Sequence, residues 1–440
     1  RLNMTQPVQP SDFQKRALTL AQQRSAPAFL QTVRQQGLDE FGQIQWPGRK
    51  TEMWKYTTLR PVEAFANAEW PADDVAADGE QLASLPELDA TRLVFVDGLF
   101  DGAASDELPD GVRLFSQADE AARVVLDQYL GKIAKDIDPS RRNLFAALND
   151  AWLTDGVLVY VPKNATLEKP LYVVHLSTAQ AAERVANQRL LVVLEQGASA
   201  DLIEHYLSAD DASASFVNTL TEIHVGDNAR LSHTRLNLEH EASSHVGAVH
   251  INLQRSAVAN GFTLAEGGEL KRLDYQINHC GEGAELNLNG LYLGRHQQHV
   301  DYHTTIEHRV PNCTSQEVFR DIVGDKAKAV FNGRIHIHQD AQKTLAELNN
   351  RNLLTSNTAE VDTKPELEIY ADDVRCAHGA TISQLDETAL YYLQSRGIEL
   401  PQARMMLSYG FINEVLETLP HEGIRTALQK RLRQRFVEEI

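Results

Sequence analysis

The chain has 440 residues, 42 of them Lys or Arg against 61 Asp or Glu, a formal net charge of −19 and an apolar share of 42%. That apolar content excludes a largely disordered chain, and the acidic balance argues against a nucleic-acid partner, whose phosphates are bound mainly by Lys and Arg. Three scattered cysteines, Cys280, Cys313 and Cys376, form neither a disulfide framework nor a paired-cysteine zinc motif and suggest a reducing compartment. The polar start over 1–10 has no signal-peptide core, and no apolar run approaches the ~20 residues of a membrane span. The expectation is a soluble cytoplasmic protein with no membrane partner, whose native start is Met4, preceded by three extraneous residues.

Ser11 and Gln14 have capping-box spacing ahead of Phe13, Ala17, Leu20 and Ala21, which predicts an amphipathic helix. Pro27 suits the first turn of a second helix, whose stripe of Phe29, Leu30 and Val33 ends before Gly37. Pro47, Pro61 and Pro71 punctuate a looser segment, and further helices are predicted over 116–133 and 141–153. Together these make an N-terminal helical region over 1–154.

From 155 to 380 the apolar period changes to two, with short runs at 157–161, 171–176, 190–194 and 286–293. A G-x-x-A pattern recurs at Gly197–Ala200, Gly226–Ala229, Gly281–Ala284 and Gly324–Ala327, imperfectly spaced. Repeats of roughly 20–50 residues without intervening helices favour a β-helix, a solenoid in which each coil buries its inner face on its neighbours. The fold class is therefore mainly β, a β-helix core between two helical regions.

Helical signals return over 381–440. Asp386 caps a helix reaching Arg396 and closed by Gly397. Pro401 opens another, with Met405, Tyr409, Ile412, Leu416 and Leu419 on one face, and Ile424, Ala427, Leu428 and Leu432 mark a third. Such an apolar face serves equally as a partner's docking surface or as a cover for the end of the solenoid.

No G-x-x-x-x-G-K-[ST] loop and no G-x-S-x-G elbow occurs, which removes the usual nucleotide-hydrolysis and serine-hydrolase signatures. Histidines crowd 296–308 at His296, His299, His303 and His308. In the strand 334–338 the isoleucines face the core and His336 and His338 face solvent; without a carboxylate at fixed spacing, a metal site there is the weaker reading. Over 366–379, alternation turns Leu367 and Ile369 inward and sets Cys376 and His378 on the opposite face with Glu368 and Asp372. A thiol and an imidazole two residues apart can converge on iron or zinc, although a packed Cys and a hydrogen-bonded His explain the spacing as well.

The stretch Glu-Val-Asp-Thr-Lys-Pro at 360–365, running into Leu-Glu-Ile-Tyr-Ala-Asp-Asp-Val at 367–374 and then Cys376-x-His378-Gly379-Ala380-Thr381, closely resembles the C-terminal signature of the SufB/SufD family of SUF iron–sulfur assembly proteins. Arg49-Lys50-x-Glu52-x-Trp54-Lys55-Tyr56-Thr57 and Tyr391-x-Leu393-x-Ser395-Arg396-Gly397-Ile398 resemble its SufD branch. The resemblance implies a non-enzymatic scaffold that pairs with SufB. It also implies that the ATPase SufC is held on the C-terminal helices, where Met405, Tyr409, Ile412 and Leu416 are the candidate contacts. It further implies a transient iron–sulfur cluster at the SufB–SufD interface, with His378 as a ligand and Cys376 beside it, and a reduced flavin associated with the complex. Arg396 falls in the matching motif with no role assigned, and a homodimer of the isolated chain is an open alternative. Two other readings stand beside this one. A β-helix polysaccharide-active enzyme would place Asp301, Asp321, Glu368 and Asp372 along one face, and a purely structural partner of SufB would ligate nothing.

Overall fold

The computed structural model describes residues 10–135, 138–178, 183–209 and 214–438; the expected start at Met4 lies outside them. The described residues include nineteen strands in two sheets, one of ten and one of nine. From Val157 to Gln384 successive strands alternate between the sheets, and each pairs in parallel with the next strand but one. The result is the expected β-solenoid. Its inner face follows from the period-two pattern. Val159, Val192, Ile223, Ile251, Ile277, Ile306, Ile335 and Leu367 stand in register through eight consecutive strands of the nine-stranded sheet. All belong to or pack against one core cluster shared by both sheets. Each fully buried aliphatic side chain contributes about 1.5–3 kcal/mol, so the ladder is a continuous source of stability along the axis.

The weak sequence repeat has a structural cause. Ala198, Ala229, Ala257, Ala284 and Cys313, roughly 30 residues apart, are buried at the same corner of successive coils. Each follows a residue in the left-handed region: Gly197, Asn228, Ser256, Gly283 and Asn312. A small side chain is required where coils stack at a tight turn. The repeat therefore includes Ala198 rather than Ala200, and it passes through Ser256 and Asn312, where no glycine marks it. Ala327 closes a turn at the opposite corner, with its N–H donating to Gly324 O.

Helices cover both outer faces. Asp12–Gln23, Gln31–Gln43 and Leu144–Ala151 bring Phe13, Phe41, Phe145 and Trp152 onto Phe216, Val246 and Leu270 of the nine-stranded sheet. The Ser11–Gln14 capping box forms as expected. The second helix does not stop at Gly37; it runs on to Gln43, and a Cβ at Gly37 would stand 2.4 Å from Ala151 N. Close approach to the helix Leu144–Ala151, rather than termination, explains this glycine. The helices predicted over 116–133 and 141–153 are shorter, Glu120–Tyr129 and Leu144–Ala151, because Asp119 and Asn143 supply the caps.

The two ends of the solenoid differ. Three strands inside the segment read as helical or loose, Thr91–Val96, Leu99–Phe100 and Val112–Leu114, extend the sheets at the N-terminal end, two of them antiparallel. At the other end, Glu360–Ile369 and Arg375–Gln384 are paired on one side only. Their backbone groups form an open edge.

Candidate functional site at the open end

Arg375–Gln384 pairs in parallel with Leu345–Leu354, which sets Cys376 against Ala346 and His378 against Leu348. Residues in register point to the same side of a sheet, and Ala346 and Leu348 are core residues. Cys376 and His378 therefore face the mouth of the solenoid interior. This corrects the expectation that they share an outer face with Glu368 and Asp372. The segment 366–379 is not one strand. Glu360–Ile369 lies in the nine-stranded sheet, with Leu367 and Ile369 stacked inward on Ile335 and Ile337 and Glu368 outward beside His336. The chain then turns at a corner that buries Ala371 and enters the other sheet. Alternation does not carry across such a corner.

Cys376 packs partly against the core, and burial pushes its thiol above the ordinary value. His378 is exposed. Among the described residues no third His, Cys, Asp or Glu joins this pair in a three-donor group. A thiol and an imidazole, side chains of the kinds that ligate iron or zinc, thus sit on an unpaired edge.

The other expected residues fall in several places. Arg396 ends the helix Glu387–Ser395, lies over the Tyr392 ring at 5.1 Å and donates to its hydroxyl at 3.1 Å; Gly397 closes the turn at φ 84°. Ile412 and Leu416 are fully buried and Met405 and Tyr409 half-buried, all in one cluster with Leu264, Leu291 and Ile322 of the ten-stranded sheet. The stripe expected to receive a partner is covered by the solenoid. Tyr391 and Tyr392 on the helix Glu387–Ser395, and Leu400 and Met406 on the next helix, are exposed.

The four acids of the enzyme alternative do not converge. Asp301 faces outward, held well below the usual carboxylate range despite its burial by Arg272 and His303, each at 2.9 Å. Asp321 is in register with Tyr292 and Asn352 inside the lumen, where burial pushes its carboxyl well up. Glu368 faces outward to Arg334, and Asp372 lies in the corner. The crowded histidines also diverge. His296 pairs with Glu241, His299 with Thr57 and His303 with Asp301, while His308 stacks inside on His279. Glu307 is the residue that linear reasoning missed. It meets His336 and His338 from one coil earlier, and only the length of that coil signals the encounter.

Fold and side chains together describe a helix-flanked β-solenoid with a thiol and an imidazole at one open end. Residues 175–411 match the family described as SUF system FeS cluster assembly, SufBD core domain, and residues 11–173 match the SufBD protein N-terminal region. The chain belongs to the SufBD family, whose role is iron–sulfur cluster assembly. It is 34% identical to the iron–sulfur cluster assembly protein SufD of Escherichia coli (strain K12), over 91% of this chain and 92% of that one. It is 32% identical to a SufBD family protein of Synechocystis sp. (strain PCC 6803), over 98% and 96% of the two chains. The chloroplastic protein ABCI7 of Arabidopsis thaliana is 28% identical over 92% of this chain and 86% of its own. Among the described residues no helix is long and apolar enough to cross a membrane.

Proposed function

We propose that this chain is the SufD-like half of a scaffold on which iron–sulfur clusters are built, and that it completes its site by joining a SufB subunit edge to edge. The observation that carries this reading is the placement of Cys376 and His378 on the unpaired last strand. An open parallel edge takes a further strand through backbone hydrogen bonds. A partner solenoid seated there brings its own donors to the two side chains at the mouth. The cluster is cargo, shared transiently, and the chain contributes position and one or two ligands. Burial pushes the Cys376 thiol up, and the thiol loses its proton when it binds iron.

The ATPase SufC docks, in this reading, on the C-terminal helices through the exposed Tyr391, Tyr392, Leu400 and Met406. Tyr391→Asp with Met406→Asp abolishes SufC co-purification and leaves thermal unfolding unchanged; undiminished co-purification would remove this surface from consideration. The chain hydrolyses no ATP unless SufC is present.

The central test is iron and sulfide content of the anaerobically purified complex with SufB and SufC, compared among wild type, His378→Ala and Cys376→Ser. The His378 variant retains the partner and loses most of its cluster. Equal cluster content in wild type and the His378 variant would leave this chain as a structural partner that ligates nothing.

A further inference from the structure

On the outer face of the nine-stranded sheet, Glu307 and His336 are in register on neighbouring strands, and His338 follows two residues further along the same face. Strands in a sheet lie about 4.8 Å apart, and alternate residues share a side, so these three side chains converge by construction. Their donor atoms all lie within 4.8 Å of one another. Glu307 Oε2 stands 2.7 Å from His336 Nδ1 and 2.7 Å from His338 Nε2, and the two rings stack with centroids 4.1 Å apart. Two imidazoles and one carboxylate form the donor set that divalent first-row transition metals take, with positions left open for water or a further ligand.

We propose that Glu307, His336 and His338 form a binding site for a divalent first-row transition metal such as Zn2+ or Fe2+. Three features favour an ion over a plain hydrogen-bonded cluster. The carboxylate is held from behind: Arg334 donates to Glu307 Oε1 at 2.8 Å, which leaves Oε2 aimed at both rings. Arg334 is itself clamped by Glu368 at 2.9 and 3.0 Å, so its charge is offset and its guanidinium is held in place. Outer partners of this kind orient ligands and tune affinity. Access is also present, since the Glu307, His336 and His338 side chains are 10%, 19% and 38% exposed. Ligands around a tetrahedral ion with bonds of about 2.1 Å stand about 3.4 Å apart, so small side-chain rotations from the observed 2.7 Å admit the ion. The strands themselves need not move. The site is separate from Cys376 and His378, which lie on the other sheet and face the lumen.

The test uses the isolated full-length chain, with Zn2+ alone and, without oxygen, Fe2+ alone, titrated against a chromophoric chelator. One tight equivalent is expected that persists in Cys376→Ser/His378→Ala. His336→Ala, His338→Ala and Glu307→Gln each weaken it by more than the roughly 10- to 100-fold that loss of an outer partner costs. Co2+ in place of Zn2+ gives ligand-field bands without thiolate charge transfer. His338 is partly exposed, so its variant keeps the fold, which circular dichroism verifies. Equal affinity in wild type and His336→Ala/His338→Ala, no tight binding in wild type, or loss of binding in Cys376→Ser/His378→Ala would each overturn the proposal. No Suf partner is required, so this site and the scaffold reading stand or fall separately.

Discussion

Leu288, Glu317, Leu348 and His378 occupy one column through four successive coils of the ten-stranded sheet, and the column holds two polar side chains in opposite circumstances. Glu317 has coils on both sides and is fully buried; burial pushes its carboxyl up to about 7, offset only in part by the Thr304 hydroxyl. His378, two coils on, points the same way with no coil beyond it, and is exposed. The same inward position therefore holds a buried acid in mid-solenoid and an accessible imidazole at the end. Nearer the N-terminal end, the lumen carboxylate Glu204 is instead held by several partners. Glu204 receives His233 at 2.7 Å, Tyr206 at 2.9 Å and Thr221 at 2.7 Å, with Arg235 at 3.6 Å, and these partners hold it well below the usual carboxylate range although burial alone would raise it.

The sharpest way to break the comparison is to disturb a paired charge in mid-solenoid. Arg235→Met leaves Glu204 without its guanidinium and costs about 3–5 kcal/mol, read from the urea midpoint. A loss below about 1 kcal/mol would show that the lumen charges do not depend on one another. Of comparable size is Leu416→Ala, which opens a cavity under the C-terminal helices and costs about 3 kcal/mol, whereas an exposed docking residue would cost almost nothing.

Glu317→Gln tests the buried half of the column through pH. The folded-state carboxyl titrates near 7 rather than near 4.5, so the folded chain prefers the proton. The stability contributed by the neutral acid is fully present below about pH 4.5 and is lost as pH rises through about 7. Each tenfold change in proton affinity is worth roughly 1.4 kcal/mol, so the glutamine variant gains about 3.5 kcal/mol on wild type at pH 8 and little at pH 4. Parallel urea curves at those two values decide it; a constant difference would mean that Glu317 binds its proton equally tightly in the folded and the unfolded chain. His378→Ala is the smallest perturbation to folding, within about 0.5 kcal/mol, because the last coil buries nothing over it. Set beside its expected loss of cluster, that small cost separates ligand from structural residue.

How much of this was legible depends on how far each feature reaches along the chain. The capping box at Ser11, the Asp386 cap and the Gly397 turn were readable because their physics spans four or five residues. The solenoid was readable from alternation and from corner alanines, although Ser256 and Asn312 hid two corners that glycine did not mark. Gly37 misled because a helix-crossing glycine and a helix-ending glycine look alike in one dimension. Strands 91–114 were missed because they are short and lie among prolines and acidic turns.

The residues by themselves determined the β-helix, its helical flanks, the caps and the family signature, since each follows from local periodicity or from contiguous motif residues. Only the tertiary structure decided three things. It turned Cys376 and His378 into the mouth of the lumen, because a corner at 370–374 resets the alternation from which their direction had been read. It laid Ile412 and Leu416 on the ten-stranded sheet, because an apolar helical face does not itself specify what covers it. And it brought Glu307 to His336 and His338, because residues a whole coil apart meet only when the lengths of every strand and corner between them place them in register.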